Sequence, residues 1–591
     1  MKIKINRNIL WTETFVQELA ALGVKYVSIS PGSRNTPLTI AFAGNKKIKT
    51  YVHIDERSSG FFALGLAKAT DTPVAVVCTS GTATVELYPA IVEAYKQRVP
   101  LIICTADRPP ELLDKGANQT INQINLYKNH IRWFYDLGLP EPSIARLKQL
   151  KLAAKEAYTK SLYESKGPVH LNFHFRKPFE PKFSTDEINE KIILYAVEIQ
   201  AEKVVICQKE SKDISKEKWF INIFNQLKKF EHGLIIVGPD NYDPRFLKSC
   251  QVISQKLSYP ILADGTSQLR FGKHNKSSII TGFDALLRSD KFSLHHQPEI
   301  ILQFGRTITS KGLDTFLEKC NAVRYMINTY GDWFDPADKA KAAYSCKPYQ
   351  FCESMNEKFR SDNFSRKHNG WLQSFADAEH ETIQLKKEII DNSDFSNESR
   401  IINEVLESIP DDSRIMLSNS MPVRDFDYFA SNNDKKIILY NNRGASGIDG
   451  ITSTALGIAA AEGKPTVLIT GDLAFYYDLN GLLGAMKYNI PLVIVLINNN
   501  GGGIFEVLPI SSYGEVFKKY FLAPHNLEFK NFVKAYGGNY KNVKSWKEFK
   551  KSFNDAFKKK NFTVLEIKTN STESLKLRKK YWKAVSERIA N

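Results

Sequence analysis

The 591-residue chain is too long for one hydrophobic core, so roughly three or four domains are expected. Its composition, 43% hydrophobic, 12% aromatic and 25% charged, is that of a globular enzyme rather than a fibrous, disordered or disulfide-stapled chain. A net charge of +17 admits several anionic partners, but the Lys-rich stretches KEFKKSFNDAFKKK and KLRKKYWKAV read as solvated faces of C-terminal helices, and without a zinc-finger, homeodomain or RNA-recognition motif no nucleic-acid partner is expected.

Small, multiply charged anionic substrates suit the charge as well, and plain solvated surface is the simplest reading of the tail lysines. No apolar run approaches the roughly 18 to 20 residues of a membrane helix, so no membrane span is expected. The first residues, MKIKINRNILWTETF, lack the apolar core and cleavage site of a secretory signal. Cysteines stand singly at 78, 104, 207, 250, 320, 346 and 352, without a CxxC pair. That pattern suits a reducing cytoplasm and argues against a disulfide framework or a zinc site.

In chain order, VKYVSI reads as a strand, ERSSGFFALGLAKAT as a helix, PVAVVCT as a strand, TATVELYPAIVEAYKQ as a helix and PLIICTA as a strand. Strands apolar throughout, alternating with helices, mean a doubly wound parallel sheet. A charged stretch around 189–218 separates a second α/β region with strand ends at HGLIIVGPD, SYPILADG and EIILQFGR. A polar stretch near 355–398 follows. A third region has strands at SRIMLSN, KIILYNN, PTVLIT, PLVIVLINNN and TVLEIKT. The expected architecture is three α/β domains, at 1–185, 200–360 and 395–591.

Ligands of such sheets bind at the carboxyl ends of the strands. The most specific stretch is GDLAFYYDLNGLLGAMKYNIPLVIVLINNNGGGIF, residues 471–505. Strand, helix and strand bring Asp472 and Asn499, 27 positions apart, to one sheet edge. A carboxylate, an amide oxygen and loop carbonyls suit an oxygen-loving divalent cation that also takes phosphate oxygens. Taken singly, a helix-capping Asp and an Asn-Gly turn explain the same residues.

This pattern resembles the metal-diphosphate motif of the thiamin diphosphate enzymes, with Leu473 where the motif often has Gly. Glu56, at a strand end before an Ala- and Gly-rich helix, matches the glutamate that these enzymes set against the aminopyrimidine ring. The stretches SPGSRNTPLT, HIDERSSGFFALGLAKAT, TSGTATVELYPAIVEA, TADRPPEL, GANQTINQ, NRGASGIDG and NNNGGGIFEVLP narrow the resemblance to the 2-succinyl-5-enolpyruvyl-6-hydroxy-3-cyclohexene-1-carboxylate synthase family of menaquinone biosynthesis. It runs from about residue 10 to 570 and is weak in the middle third, where TITSKGL is the best match.

The resemblance implies three doubly wound parallel-sheet domains, of which the first binds the pyrimidine and the third the diphosphate of thiamin diphosphate. It implies a homodimer or homotetramer with active sites at subunit interfaces. The implied reaction decarboxylates 2-oxoglutarate and adds the succinyl carbanion to isochorismate. Glu56 would be catalytic and hold the aminopyrimidine. Asp472, Asn499 and the Gly501 carbonyl would ligate Mg²⁺ or Mn²⁺. Ile448 would bend the cofactor from beneath, and Ile504 and Phe505 would wall the thiazolium. Asn118, Gln119 and Ser420 would make polar cofactor contacts. Ser33, Arg34, Arg108, Lys311, Arg424 and Arg443 would receive substrate carboxylates, which guanidinium groups bind well. Another 2-oxo acid decarboxylase or carboligase of the superfamily would keep Glu56, Asp472 and Asn499 without needing the arginines. A non-catalytic nucleotide-binding module is disfavoured by the absence of GxGxxG and GxxxxGK[ST].

Overall fold

The computed structural model describes residues 2–163, 165–182, 186–199, 213–367 and 369–590. Three six-stranded sheets dominate it. The first runs Lys49–Val52, Tyr26–Ile29, Val74–Cys78, Leu101–Asp107, Val169–His174, Trp133–Asp136. The third runs Ile437–Asn441, Ser413–Leu417, Thr466–Gly471, Val493–Asn498, Thr563–Lys568, Asn539–Asn542. The first and third sheets share one strand order; the central sheet is wound differently, its strands running outward in chain order on both sides of a middle pair, Gly233–Val237 and Ile300–Phe304. Every pairing within these sheets is parallel. Helices cover both faces, which is why strands such as VAVVC and VIVLIN are buried end to end.

In each sheet the winding reverses direction beside its earliest strand. Such a reversal opens a crevice at the carboxyl edge. In the first sheet the flanking loops are Ser30–Arg34 and Thr79–Gly81. In the third they are Ser418–Ser420 and Gly471–Asp472.

The first and third sheets share one core. Its centre is the crossing of the Glu56–Thr70 helix with the Ile451–Glu462 helix. A Cβ on Gly65 would overlap the Thr454 carbonyl oxygen, and one on Gly457 would overlap that of Phe62. Glycine is required at both positions for the backbones to approach this closely.

One expectation is corrected. TATVELYPAIVEAYKQ is two helices, Thr82–Glu86 and Tyr88–Gln97, because Pro89 has no N–H to continue the ladder. The polar stretch near 355–398 is largely helical, with Trp371–Lys386 packing Trp371, Phe375 and Leu385 into the central core. The last helix, Ser571–Ala590, is solvated on its lysine face only. Tyr581 and Val585 enter the central core, and Arg578 is 2% exposed. Of the cysteines, Cys78 and Cys104 are buried strand residues, Cys250, Cys320, Cys346 and Cys352 are also buried and free, and Cys207 lies outside the described residues. Among the described residues no helix is long and apolar enough to cross a membrane.

Candidate functional site

At the first sheet's edge, Ser30 continues the strand pairing through its N–H to Val77, and Asn35 closes the turn by donating to the Ser30 carbonyl at 2.8 Å. A Cβ on Gly32 would strike Thr79, so glycine lets the turn lie flat on the neighbouring strand end. Ser33 is exposed. Arg34 donates to the Phe175 carbonyl at 2.6 Å and lies over the Phe179 ring at 4.6 Å. Burial, then the nearby Arg108, push its guanidinium down to about 10. Arg108 is 8% exposed and donates to Ser80 Oγ and to the Asn118 carbonyl, both at 2.5 Å. Neither arginine forms an ion pair among the described residues, although the charge of Asp107 reaches both.

Asn118 and Gln119 expose their side chains. Gln119 sits at φ +55°, and its backbone packs on Gly81. Glu56 opens its helix behind the capping residue Asp55. It is half-buried, and burial raises its carboxyl above the ordinary range, with Asp55 and Glu86 adding to the rise.

At the third sheet's edge, Asp472 is 2% exposed. Its Oδ1 accepts from the Leu473 N–H at 2.7 Å, and Oδ2 from the Gly501 N–H at 3.0 Å. His525 Nε2 lies 3.2 Å from Oδ2. Because Nδ1 accepts from the Leu527 N–H, the proton of a neutral ring is on Nε2 and points at Asp472. Burial raises the Asp472 carboxyl despite these donors.

Asn499 donates from Nδ2 to Glu398 at 2.9 Å, while its Oδ1 is buried without a partner. Gly501 has φ +148°, and a Cβ there would overlap the Leu522 carbonyl. An orphaned amide oxygen, a carboxylate and a side-chain-free loop form an all-oxygen donor set that fits a hard divalent cation. Ile504 and Phe505 follow, half-buried, with Phe505 edge-on to Phe521.

Ser420 adopts φ +72°, rare for a non-glycine residue. Its carbonyl accepts from Arg424 at 2.7 Å. Burial, then Arg443, lower the Arg424 guanidinium. Arg443 and Ile448 ride the loop at 442–450, beside a cavity of about 220 Å³ lined by Phe61, Pro89, Glu93, Asn442, Gly447 and Asp449. Ile448 is half-buried and outside all four hydrophobic cores. Lys311, on the central domain, is exposed and 4.0 Å from Glu318, and both it and Arg443 act on Asp314.

Apart from Lys311 on the central domain and Ile448 on the 442–450 loop, the candidate residues form two groups. Ser33, Arg34, Arg108, Asn118 and Gln119 gather with Glu56 at the first edge. Asp472, Asn499, Gly501, Ile504 and Phe505 gather with Ser420, Arg424 and Arg443 at the third. Among the described residues no hydrogen bond or ion pair joins Glu56 to Asp472 or Asn499 within one chain. Sequence reading missed His525, Glu398, Arg578 and Glu93, because each meets its partner only through the fold.

Residues 11–126 match the thiamine pyrophosphate enzyme N-terminal TPP-binding domain, 200–417 the middle domain and 426–567 the C-terminal TPP-binding domain. The 2-succinyl-5-enolpyruvyl-6-hydroxy-3-cyclohexene-1-carboxylate synthase of Bacillus cytotoxicus is 39% identical over 96% of this chain and 95% of that protein. The synthase of the same name from Haloquadratum walsbyi is 37% identical over 99% of each. The fold is shared with the thiamine diphosphate-dependent 4-hydroxybenzoylformate decarboxylase of Rhodococcus jostii RHA1, at a TM-score of 0.68 and 15% identity over 95% of this chain and 99% of that one. The chain is a thiamin diphosphate-dependent enzyme, and it belongs to the 2-succinyl-5-enolpyruvyl-6-hydroxy-3-cyclohexene-1-carboxylate synthase family.

Proposed function

We propose that the enzyme joins 2-oxoglutarate to isochorismate with loss of CO₂, giving 2-succinyl-5-enolpyruvyl-6-hydroxy-3-cyclohexene-1-carboxylate for menaquinone synthesis. The observation that carries this reading is the arrangement of arginines. Arg34 with Arg108, and Arg424 with Arg443, are two like-charged pairs at the two strand edges, and none of the four is neutralised by an ion pair among the described residues. Crowding unneutralised cations is unfavourable unless an anion arrives, and both substrates are dicarboxylates.

Thiamin diphosphate, when bound, supplies the carbanion chemistry. Glu56 would hold the aminopyrimidine and share a proton with it, a task suited to a half-buried carboxyl that burial raises above its ordinary range. Asp472, Asn499 and the Gly501 carbonyl would hold Mg²⁺ or Mn²⁺, which would supply positive charge for the diphosphate. Asn118, Gln119 and Ser420 would orient the cofactor, Ile448 would support it, and Ile504 and Phe505 would keep water from it. Ser33, Arg34 and Arg108 face one substrate; Lys311, Arg424 and Arg443 face the other.

A homodimer or homotetramer in which two chains complete each site is part of this reading. Exposed Ile54 and Val85 beside Glu56, and Tyr476 and Tyr477 beyond Asp472, support burial by a second copy. The buried free thiols accord with a cytoplasmic enzyme.

The test is a spectrophotometric assay with thiamin diphosphate, Mg²⁺, 2-oxoglutarate and isochorismate, run beside Glu56→Gln. Loss of isochorismate absorbance that needs both substrates and collapses in the variant is expected. CO₂ release from another 2-oxo acid with isochorismate intact would overturn the substrate assignment.

A further inference from the structure

The amide of Asn499 can offer a cation its oxygen or, turned over, its NH₂. Only the first binds. The structure contains a device that decides between them. Glu398, 1% exposed, accepts from Asn499 Nδ2 at 2.9 Å and from Thr569 Oγ1 at 3.0 Å through Oε1. Its Oε2 accepts from Arg578 at 2.8 Å. A carboxylate beside a guanidinium accepts and does not donate. The NH₂ of Asn499 must therefore face Glu398, which turns the partnerless Oδ1 the other way.

Arg578 comes from the last helix, and its other contacts form a fork on Asp425, with Nε to Oδ1 at 2.7 Å and Nη2 to Oδ2 at 2.6 Å. All three charged groups are almost fully buried, and the one guanidinium is the shared counter-charge of both carboxylates. Asp425 adjoins Arg424. One arginine thus fixes both the carboxylate behind Asn499 and the helix that carries a candidate substrate arginine.

We propose that Glu398, held in place by Arg578, is a positioning residue that fixes the Asn499 amide with its oxygen toward the cation. This rests on the assignment of Asp472, Asn499 and Gly501 as the metal site. Partners behind metal ligands typically contribute 10–100-fold in metal affinity.

The test measures metal affinity without turnover. Mn²⁺ is titrated into the full-length protein with thiamin diphosphate, and free Mn²⁺ is read by electron paramagnetic resonance. Glu398→Gln, which can present either a donor or an acceptor to Asn499, is expected to raise the Mn²⁺ Kd about tenfold or more. Asn499→Asp is expected to weaken binding as well, because two carboxylates then face each other, although a carboxylate is ordinarily the better ligand. Combining it with Glu398→Gln should restore affinity, so the two effects are not multiplicative. Arg588→Ala, which breaks the pair between Arg588 of the last helix and Glu381 of the Trp371–Lys386 helix, should leave Kd unchanged. A folded Glu398→Gln with Kd within twofold of the parent would overturn the proposal. So would Asn499→Asp binding Mn²⁺ as tightly as the parent, a result that decides the matter even if Glu398→Gln does not fold. Asp472→Ala separates the two levels. If it leaves Kd unchanged, the metal-site assignment falls and this proposal with it. If it abolishes binding while Glu398→Gln does nothing, only the positioning role falls.

Discussion

Glu93 of the first domain holds the backbone of Gly444 in the third. Its carboxylate, 2% exposed, accepts from the Gly444 N–H at 2.9 Å and the Ala445 N–H at 2.6 Å. A Cβ on Gly444 would come within 2.8 Å of Lys96 Cβ, so the loop lies against the helix without a side chain between them. Beside it Lys68, which burial brings down to about 8, donates to Gln97 Oε1 at 2.7 Å and to Asn442 Oδ1 at 2.8 Å. The loop that carries Arg443 and Ile448 is therefore clamped by the other cofactor-handling domain.

Glu93→Ala removes the acceptor of two part-buried backbone donors. The expected cost is about 1–3 kcal/mol of stability, read by urea denaturation. If Arg443 binds substrate, KM for that substrate should also rise, whereas an unchanged KM would show that the loop holds its shape unaided.

Gly65→Ala and Gly457→Ala should each destabilise the protein by at least about 2 kcal/mol, because overpacking a tight contact costs 1–3 kcal/mol or more. In an open helix the same change is favourable by about 1 kcal/mol, so a loss reports the helix crossing itself. Gly44→Ala, at the last position of its helix and with nothing within 4 Å of its Cβ, is the control and should be neutral to stabilising. Thermal denaturation of the three variants decides it.

Asp478 is fully buried and accepts from the Ser453 N–H at 2.6 Å and from the Ser453 and Ser58 hydroxyls. Burial raises its carboxyl from 3.8 to about 6. The folded protein therefore holds a proton that the unfolded chain has already released. The stability this confers is complete below about pH 4 and is lost as pH rises toward 6. Asp478→Asn removes that dependence. The stability difference between parent and variant should shift by up to about 3 kcal/mol across this window. Parallel urea curves from pH 4 to 7 with a constant difference would contradict it.

Arg34→Lys keeps the charge but loses the planar fork and its seat over Phe179. The expected result is a rise of about tenfold in KM for one anionic substrate, with little change in melting temperature. Steady-state kinetics with each substrate varied in turn would show which one it faces.

The Glu56–Thr70 helix was legible because its small and apolar residues repeat at helical spacing, and the strands because β-branched runs of five or six residues suit a doubly covered sheet. The Asp472 and Asn499 pair was legible because one strand–helix–strand unit joins them. Glu398, 101 positions from Asn499, and Arg578, 180 beyond Glu398, leave no such trace. A buried ion pair looks in sequence like any two surface charges. The destination of the last helix was hidden for a related reason. Its amphipathic pattern tells that Leu575, Arg578 and Tyr581 share a face, but not which domain that face meets.

The last helix also sets an order of events during synthesis. The central domain fills its core with Tyr581 and Val585, yet its last strand ends at Ser345. At translation rates of about 5–20 residues per second, the missing pieces leave the ribosome on the order of 10–50 seconds after that strand. For that interval the nascent middle of the chain presents an unfilled apolar face to the cell, and a ribosome that stalls before residue 581 leaves a product whose damage lies two hundred residues upstream of its broken end.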